Sequence, residues 1–156
     1  MTRIPYPDPA TLSEPTRNAL AAIPPLNVFR LLSTADTAFP SFLRLTGGLW
    51  SEAELSPRRR ELVILHVACL TGADYEWHQH VAVAALCDVT AEEIAAIRDG
   101  AVAGAPFSDE DQALLAMTAV IVARGRADDE LLARTRTALT DRELVELHLV
   151  VAIYTG

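Results

Sequence analysis

The segment from Glu61 to His80, ELVILHVACLTGADYEWHQH, is the stretch of this sequence that decides the fold. The apolar side chains between Leu62 and Cys69 surround the helix axis instead of forming one stripe, so we expect a helix that is buried on most sides. Gly72 ends this helix, and Asp74 is well placed to cap the next one. The segment therefore predicts a central antiparallel helix pair, at about residues 57–71 and 75–86.

Helix signals continue on both sides of this pair. Ser56 and Pro57 begin its first helix. Capping boxes are predicted at Thr90 with Glu93 and at Thr140 with Glu143, and Ser108 with Asp111 resembles a third. No run shows the alternation of a strand bounded by hairpin turns, so the predicted fold class is all-α.

The first third of the chain carries weaker signals. Asn27 is a candidate cap for a helix that continues to Phe39, and Pro40 ends that helix or starts another. Gly47 and Gly48 are expected to loosen the helix that follows, so that Trp50 lies in a loop.

Composition favours one domain and excludes several functions. With 156 residues and 51% hydrophobic content, we expect residues 1–156 to form a single domain, with residues 1–24 as an N-terminal extension or arm. All 13 basic residues are arginines, so lysine Schiff-base chemistry is excluded. A net charge of -8, with Arg58 to Arg60 as the basic cluster, argues against nucleic-acid binding. These three arginines are predicted to form a solvated helix start.

The N-terminus carries Pro5, Pro7 and Pro9 instead of a charged start followed by an apolar run, so we expect no secretory signal and a cytoplasmic protein. The apolar run LHLVVAIY near the C-terminus is shorter than the roughly 20 residues that span a bilayer, and no membrane association is expected. Cys69 and Cys87 are too few for a disulfide framework and are predicted to be reduced core thiols.

Three side chains form the candidate site. Glu76 and His80 are four residues apart on one helix face, where a carboxylate can orient an imidazole for acid/base work. Glu61 comes from the preceding helix, which folds back across Gly72. The alternative is a partly exposed helix pair, with Glu61 simply beside Arg58, but an unpaired charge in so apolar a helix would be costly.

The other histidines are expected to have different roles. His78 is predicted to face solvent or a subunit contact, and His66 to be a core histidine with satisfied hydrogen bonds. His148 is a candidate for the far wall of the pocket.

The run SPRRRELVILHVACLTGADYEWHQHVAVAALCDVTAEEIAAIRDG resembles the carboxymuconolactone decarboxylase family, within the alkylhydroperoxidase (AhpD-like) superfamily. The resemblance extends over nearly the whole chain from about Pro25. It implies an all-helical AhpD-like domain that assembles as a homotrimer or as a homohexamer built from trimers.

In the peroxidase branch of that superfamily, a glutamate, a Cys-x-x-Cys pair and a histidine form a proton relay. The resemblance places the glutamate on Glu61 and the histidine on His80, but the two cysteines fall on Ala73 and Glu76. Cysteine-based peroxide reduction is therefore disfavoured, because the attacking thiolate is missing. The decarboxylase branch implies acid/base chemistry without a metal or an organic cofactor.

The leading hypothesis is a lyase-type or isomerase-type enzyme that acts on a small cyclic or aromatic-derived acid. His80 would donate or accept the proton, Glu76 would orient it, and Glu61 would be the second carboxylate. Two alternatives stay open: a divalent metal site made by Glu61, Glu76 and His80, and a non-catalytic helical oligomer that binds a ligand.

Overall fold

The computed structural model describes residues 4–155, and all regular structure in this range is helical. The all-α prediction is confirmed, since no β-strand occurs in the described range. The helices fall into two compact units, one up to Glu52 and one from Ala53 onward. Residues 1–3 of the expected arm lie outside the described residues. The expectation of a single domain with an arm at residues 1–24 stays a prediction.

The first unit begins with a short 3-10 turn and contains three helices, α1 (Glu14–Ala21), α2 (Asn27–Leu32) and α3 (Phe39–Ser51). Helix α1 packs against α3. The Ser13 side chain caps α1 by accepting from the backbone N–H of Thr16. The backbone N–H of Ser13 in turn donates to the Asp36 carboxylate at 3.0 Å. These contacts tie the start of α1 to the segment that leads into α3.

Three predictions about this unit are wrong. Asn27 is the first residue of α2 instead of its cap, because Leu26 occupies the N-cap position and offers no side-chain acceptor. Helix α2 also stops at Leu32, well before Phe39. Helix α3 continues through Gly47 and Gly48, so Trp50 is helical. Glycine disfavours a helix by only about 1 kcal/mol relative to alanine, which packing on an apolar face can outweigh.

The second unit contains six helices, with α4 in contact with four of the others. The six are α4 (Pro57–Thr71), α5 (Asp74–Leu86), α6 (Ala91–Arg98), α7 (Asp109–Val122), α8 (Asp129–Ala138) and α9 (Asp141–Tyr154). Helix α4 packs against α5, α6, α7 and α9. Every side chain from Arg60 to Ala68 is buried. This burial confirms that α4 has no solvent-facing stripe through its middle.

The predicted helix pair is confirmed as α4 and α5. Gly72 ends α4 in the left-handed region, at φ 67°, where a residue without a Cβ is favoured. The predicted cap of α5 is wrong. Ala73 holds the N-cap position without a side-chain hydrogen bond, and Asp74 is the first helical residue. There its charge acts on the helix dipole instead of on a backbone N–H.

Both capping boxes are confirmed, at Thr90 with Glu93 and at Thr140 with Glu143. The Ser108 side chain also caps α7 by accepting from the Asp111 N–H. The Asp111 carboxylate does not close a third box, because it binds Arg58 at 2.9 Å.

The prediction of a solvated arginine start is wrong, because all three side chains are partly or fully buried. Arg58 pairs with Glu93 and with Asp111, the third residues of α6 and α7. Arg59 reaches Glu143, the third residue of α9, with 3.8 Å between nitrogen and oxygen. We call these five residues the arginine cluster. It joins the start of α4 to the starts of three other helices, where acidic residues also complement the helix dipole.

Within residues 4–155, none of the helices has the length and hydropathy needed to cross a lipid bilayer.

Candidate active site

Glu61 lies in the second turn of α4, a helix that begins at Pro57 after a Ser56 cap. Its carboxylate is fully buried, with 0% of the side chain exposed. A charged group in such a place requires a partner, since transfer from water to an apolar interior is strongly unfavourable. The fold supplies that partner from the neighbouring helix.

The partner is His80 on α5, whose Nδ1 lies 2.8 Å from Glu61 Oε2. An ionised carboxylate can only accept, so Nδ1 is the donor in this hydrogen bond. The bond fixes the orientation of the imidazole. The His80 side chain is 12% exposed. The structure thus brings together two of the three predicted site residues.

The second oxygen of Glu61 is also buried and accepts no hydrogen bond from the described residues. The nearest cationic atom is Arg60 Nε, at 3.6 Å from Oε1. Leaving a buried acceptor without a hydrogen bond costs about 1–3 kcal/mol, so such an atom calls for an explanation. A catalytic role is one explanation for such an atom in a native structure.

Tyr154, near the end of α9, is a further residue at this pair. Its ring meets the His80 ring edge to face, with 5.1 Å between centroids and 87° between planes. Such a contact restricts rotation of the imidazole. No sequence signal predicts this contact, because 74 positions separate the two residues and only the packing of α9 on α4 brings them together.

The expected contact between Glu76 and His80 does not form. Glu76 is partly exposed, and within residues 4–155 no hydrogen bond or ion pair joins it to His80. Helical spacing placed both on one face, but the imidazole turns toward α4, where the buried Glu61 carboxylate lies. Any catalytic role of Glu76 stays a prediction.

The remaining histidines lie away from the pair. His78 is exposed and its Nδ1 contacts the Asp74 carbonyl at 2.6 Å. His148 is also exposed, and its Nδ1 contacts the Leu144 carbonyl at 2.7 Å. This contact within α9 does not support the prediction that His148 lies in the wall of the pocket.

His66 is only 3% exposed, as expected for a core residue. Its hydrogen bonding differs from the prediction, since neither ring nitrogen has a partner among the described residues. Burial lowers the pKa of His66 to about 4. The ring is therefore neutral at physiological pH and packs as an apolar side chain.

Both cysteines are free and partly buried. Burial raises the pKa of the Cys87 thiol, and the negative charge of Glu61 raises it further. Neither effect favours the thiolate that peroxide reduction requires. The positions to which the resemblance assigned the two cysteines are occupied by Ala73 and Glu76.

Within residues 4–155, no three His, Cys, Asp or Glu side chains lie close enough to hold a metal ion together. The proposed ligand set of Glu61, Glu76 and His80 is incomplete here, since Glu76 does not join the other two. Whether the protein uses a cofactor stays a prediction.

Comparison with curated proteins gives no match to this chain. A protein-family model does match, over residues 37–119, a little more than half of the chain. The matched range contains Glu61, His80 and the whole of the α4–α5 pair. The chain belongs to the carboxymuconolactone decarboxylase family.

Proposed function

We propose that the protein is an enzyme that performs cofactor-independent acid/base chemistry on a small cyclic or aromatic-derived acid. The reaction is a decarboxylation or a related lyase or isomerase step. The observation that carries the proposal is the 2.8 Å hydrogen bond between His80 and a fully buried Glu61. A histidine oriented by a buried carboxylate is suited to general acid/base catalysis.

In the decarboxylation, the bond between the ring carbon and its carboxylate breaks, and carbon dioxide leaves. The electron pair moves into the adjacent carbonyl or lactone of the substrate as an enolate. Protonated His80 then delivers a proton to the carbon and, once neutral, is reprotonated from water. Glu61 holds the ring in the required orientation, and Tyr154 restricts its rotation.

A His80 side chain that faced bulk solvent would favour the non-catalytic alternative. The 12% exposure of its side chain favours the catalytic proposal instead. Peroxidase activity is not proposed, because Ala73 and Glu76 leave no thiol pair and the Cys87 pKa is raised.

The test is turnover of candidate lactone acids by His80→Ala. We expect turnover to fall by at least about 100-fold, the usual loss when a general acid or base is removed. His148→Ala, which removes an exposed histidine, is the matched control and should retain activity. Thermal melting of each variant separates a catalytic loss from a folding loss.

Unchanged turnover in His80→Ala would overturn the assignment. Glu61→Gln keeps the shape of the side chain but removes its charge, and it should reduce turnover to a similar extent. Elemental analysis of the active, purified protein decides whether a metal participates, since stoichiometric metal would contradict the cofactor-independent mechanism.

A further inference from the structure

A groove of about 370 Å³ runs between α5 and α6. Its floor is apolar and made of small or aliphatic side chains, and Trp77 forms one wall. The residues that carry the argument are Trp77, Val81, Ala91, Ile94, Ala95 and Arg98. None of them belongs to the Glu61–His80 pair, so the groove raises a question separate from the proposed reaction.

The groove is electrostatically unusual for this protein. The chain has 21 acidic residues and a net charge of -8, yet no acidic side chain is among the residues that line the groove. Arg98 supplies its positive charge. His78 is the other titratable residue there, and its Nδ1 is engaged by the Asp74 carbonyl. The local field therefore favours an anion, against the overall charge of the molecule.

Arg98 is placed to bind such an anion. Its guanidinium carbon lies 5.3 Å from the centre of the Trp77 ring, within the range of a cation–π contact. In the described part of the chain, its side chain forms no ion pair and donates no hydrogen bond to another residue. A guanidinium in a cation–π contact keeps N–H donors for a carboxylate, which it can bind with two parallel hydrogen bonds.

The apolar part of the groove determines the size and shape of the uncharged part of the ligand. Trp77 is only 7% exposed, so its position is fixed by the core against which it packs. An engineered cavity of about 150 Å³ holds benzene, so a groove of this size has room for one substituted ring. Alanines at positions 91 and 95 keep the α6 side low enough for a flat molecule.

We propose that the groove between α5 and α6 binds a small aromatic monocarboxylate, with the ring against Trp77, Ala91 and Ala95 and the carboxylate on Arg98. The inference goes beyond the proposed reaction, because it concerns residues that the Glu61–His80 pair does not use. Its test measures binding and not turnover, so the two proposals can fail separately.

The experiment is a titration of the full chain with benzoate, followed by two-dimensional amide NMR. The indole N–H of Trp77 and the amides of α6 should shift, while the indole N–H of Trp50 serves as an internal reference. Benzyl alcohol has a similar size without the charge, and it should bind about tenfold more weakly, which corresponds to the loss of one charge-assisted pair.

Two variants and one control separate the contribution of the charge from that of the apolar groove. Arg98→Ala should weaken benzoate binding by about tenfold and leave benzyl alcohol unaffected. Arg134→Ala removes an exposed arginine of α8 and should change neither. Ala95→Phe fills the groove and should abolish binding of both molecules. All three positions are solvent-exposed, so the variants are expected to fold.

The proposal is wrong if benzoate shifts neither the Trp77 indole resonance nor any amide of α6, or if Arg98→Ala and Arg134→Ala weaken binding equally. It is also wrong if Ala95→Phe turns an oligomer into a smaller species in sedimentation while benzoate has no effect on the parent protein. In that case the groove is covered by a second copy of the chain.

Discussion

The Cys87 thiol is close enough to Glu61 for the carboxylate charge to act on it, after burial, in raising the thiol pKa. Glu61 thus influences two groups, since it also holds His80 by a hydrogen bond. This connection gives a measure of the Glu61 charge that does not depend on knowing the substrate.

We predict that Glu61→Gln makes Cys87 more reactive. Removing the negative charge lowers the thiol pKa, so the thiolate fraction at pH 8 rises and alkylation by iodoacetamide accelerates by about threefold. The measurement uses Cys69→Ser protein, in which Cys87 is the remaining thiol. Glu76→Gln is the control and should leave the rate unchanged. Equal rates in the two glutamine variants would mean that Glu61 carries no charge near the thiol.

His66 makes stability depend on pH. Its pKa is about 4 in the folded protein, against an ordinary value of 6.5. Below pH 6.5 the unfolded chain takes up a proton that the folded chain does not, so the free energy of unfolding decreases as the pH falls toward 4. Between pH 7.5 and pH 5 the expected loss is about 2 kcal/mol.

Urea unfolding at the two pH values checks this prediction. His66→Leu should abolish this part of the pH dependence, although it alters packing as well. His148→Gln, at an exposed histidine, should retain it. A parent protein whose unfolding free energy is equal at pH 7.5 and pH 5 would contradict the buried, neutral state of His66.

At these residues the sequence was partly informative. The position of Glu61 in an apolar helix indicated a buried partner, and antiparallel packing across Gly72 predicted that His80 could be reached. The direction in which the imidazole turns was not predictable, because helical spacing alone favoured Glu76. Tyr154 and the lack of hydrogen bonds at His66 depend on packing between helices that are distant in sequence.

At the scale of elements, the arginine cluster links the N-termini of four helices. Glu93 and Asp111 are both largely buried, and Arg58 lies between them with 30% of its side chain exposed. Removing the arginine leaves two acids with less compensation in a poorly solvated place. The N-terminal dipoles of α6 and α7 offset part of this loss.

We therefore predict that Arg58→Met lowers the free energy of unfolding by about 2 kcal/mol, below the full cost of breaking a buried pair because the site is partly solvated. Arg136→Met breaks an exposed pair with Asp141 and should cost at most about 0.5 kcal/mol. Chemical denaturation measures both. A similar small effect in the two variants would show that the cluster is too well hydrated to contribute to the free energy of unfolding.

The helix boundaries show which signals were reliable. Side-chain caps such as Thr90 and Thr140 were predicted correctly, because a hydroxyl or carboxylate at the N-cap acts on backbone N–H groups within three residues. Helix starts without a capping side chain were not. Helix α2 starts without a capping side chain, and α3 continues through two glycines, each of which disfavours a helix by only about 1 kcal/mol.

For the whole molecule, the expected homotrimer or homohexamer is still a prediction. Helix α9 offers a place where a second copy could pack, since Val145 is 60% exposed and Leu149, one turn later, is 38% exposed. Neighbouring apolar side chains on a solvent-facing helix are a common feature of subunit contacts.

We predict that the parent protein sediments as a trimer or a hexamer and that Val145→Glu combined with Leu149→Glu shifts it to a smaller species. Charges at the centre of an apolar contact are costly to bury, whereas they are tolerated on a free surface. Thr137→Glu, on the exposed side of α8, should not change the sedimentation coefficient. A monomeric parent protein would contradict the prediction outright.

The burial of α4 has a dynamic consequence. Four helices cover it, and its side chains from Arg60 to Ala68 are excluded from solvent. Amide protons of this helix can exchange with water only when its covering helices separate, an event close to complete unfolding of the second unit. The orientation of Glu61 is thus preserved through local fluctuations. Motions that admit a substrate must come from the less protected segments around α4.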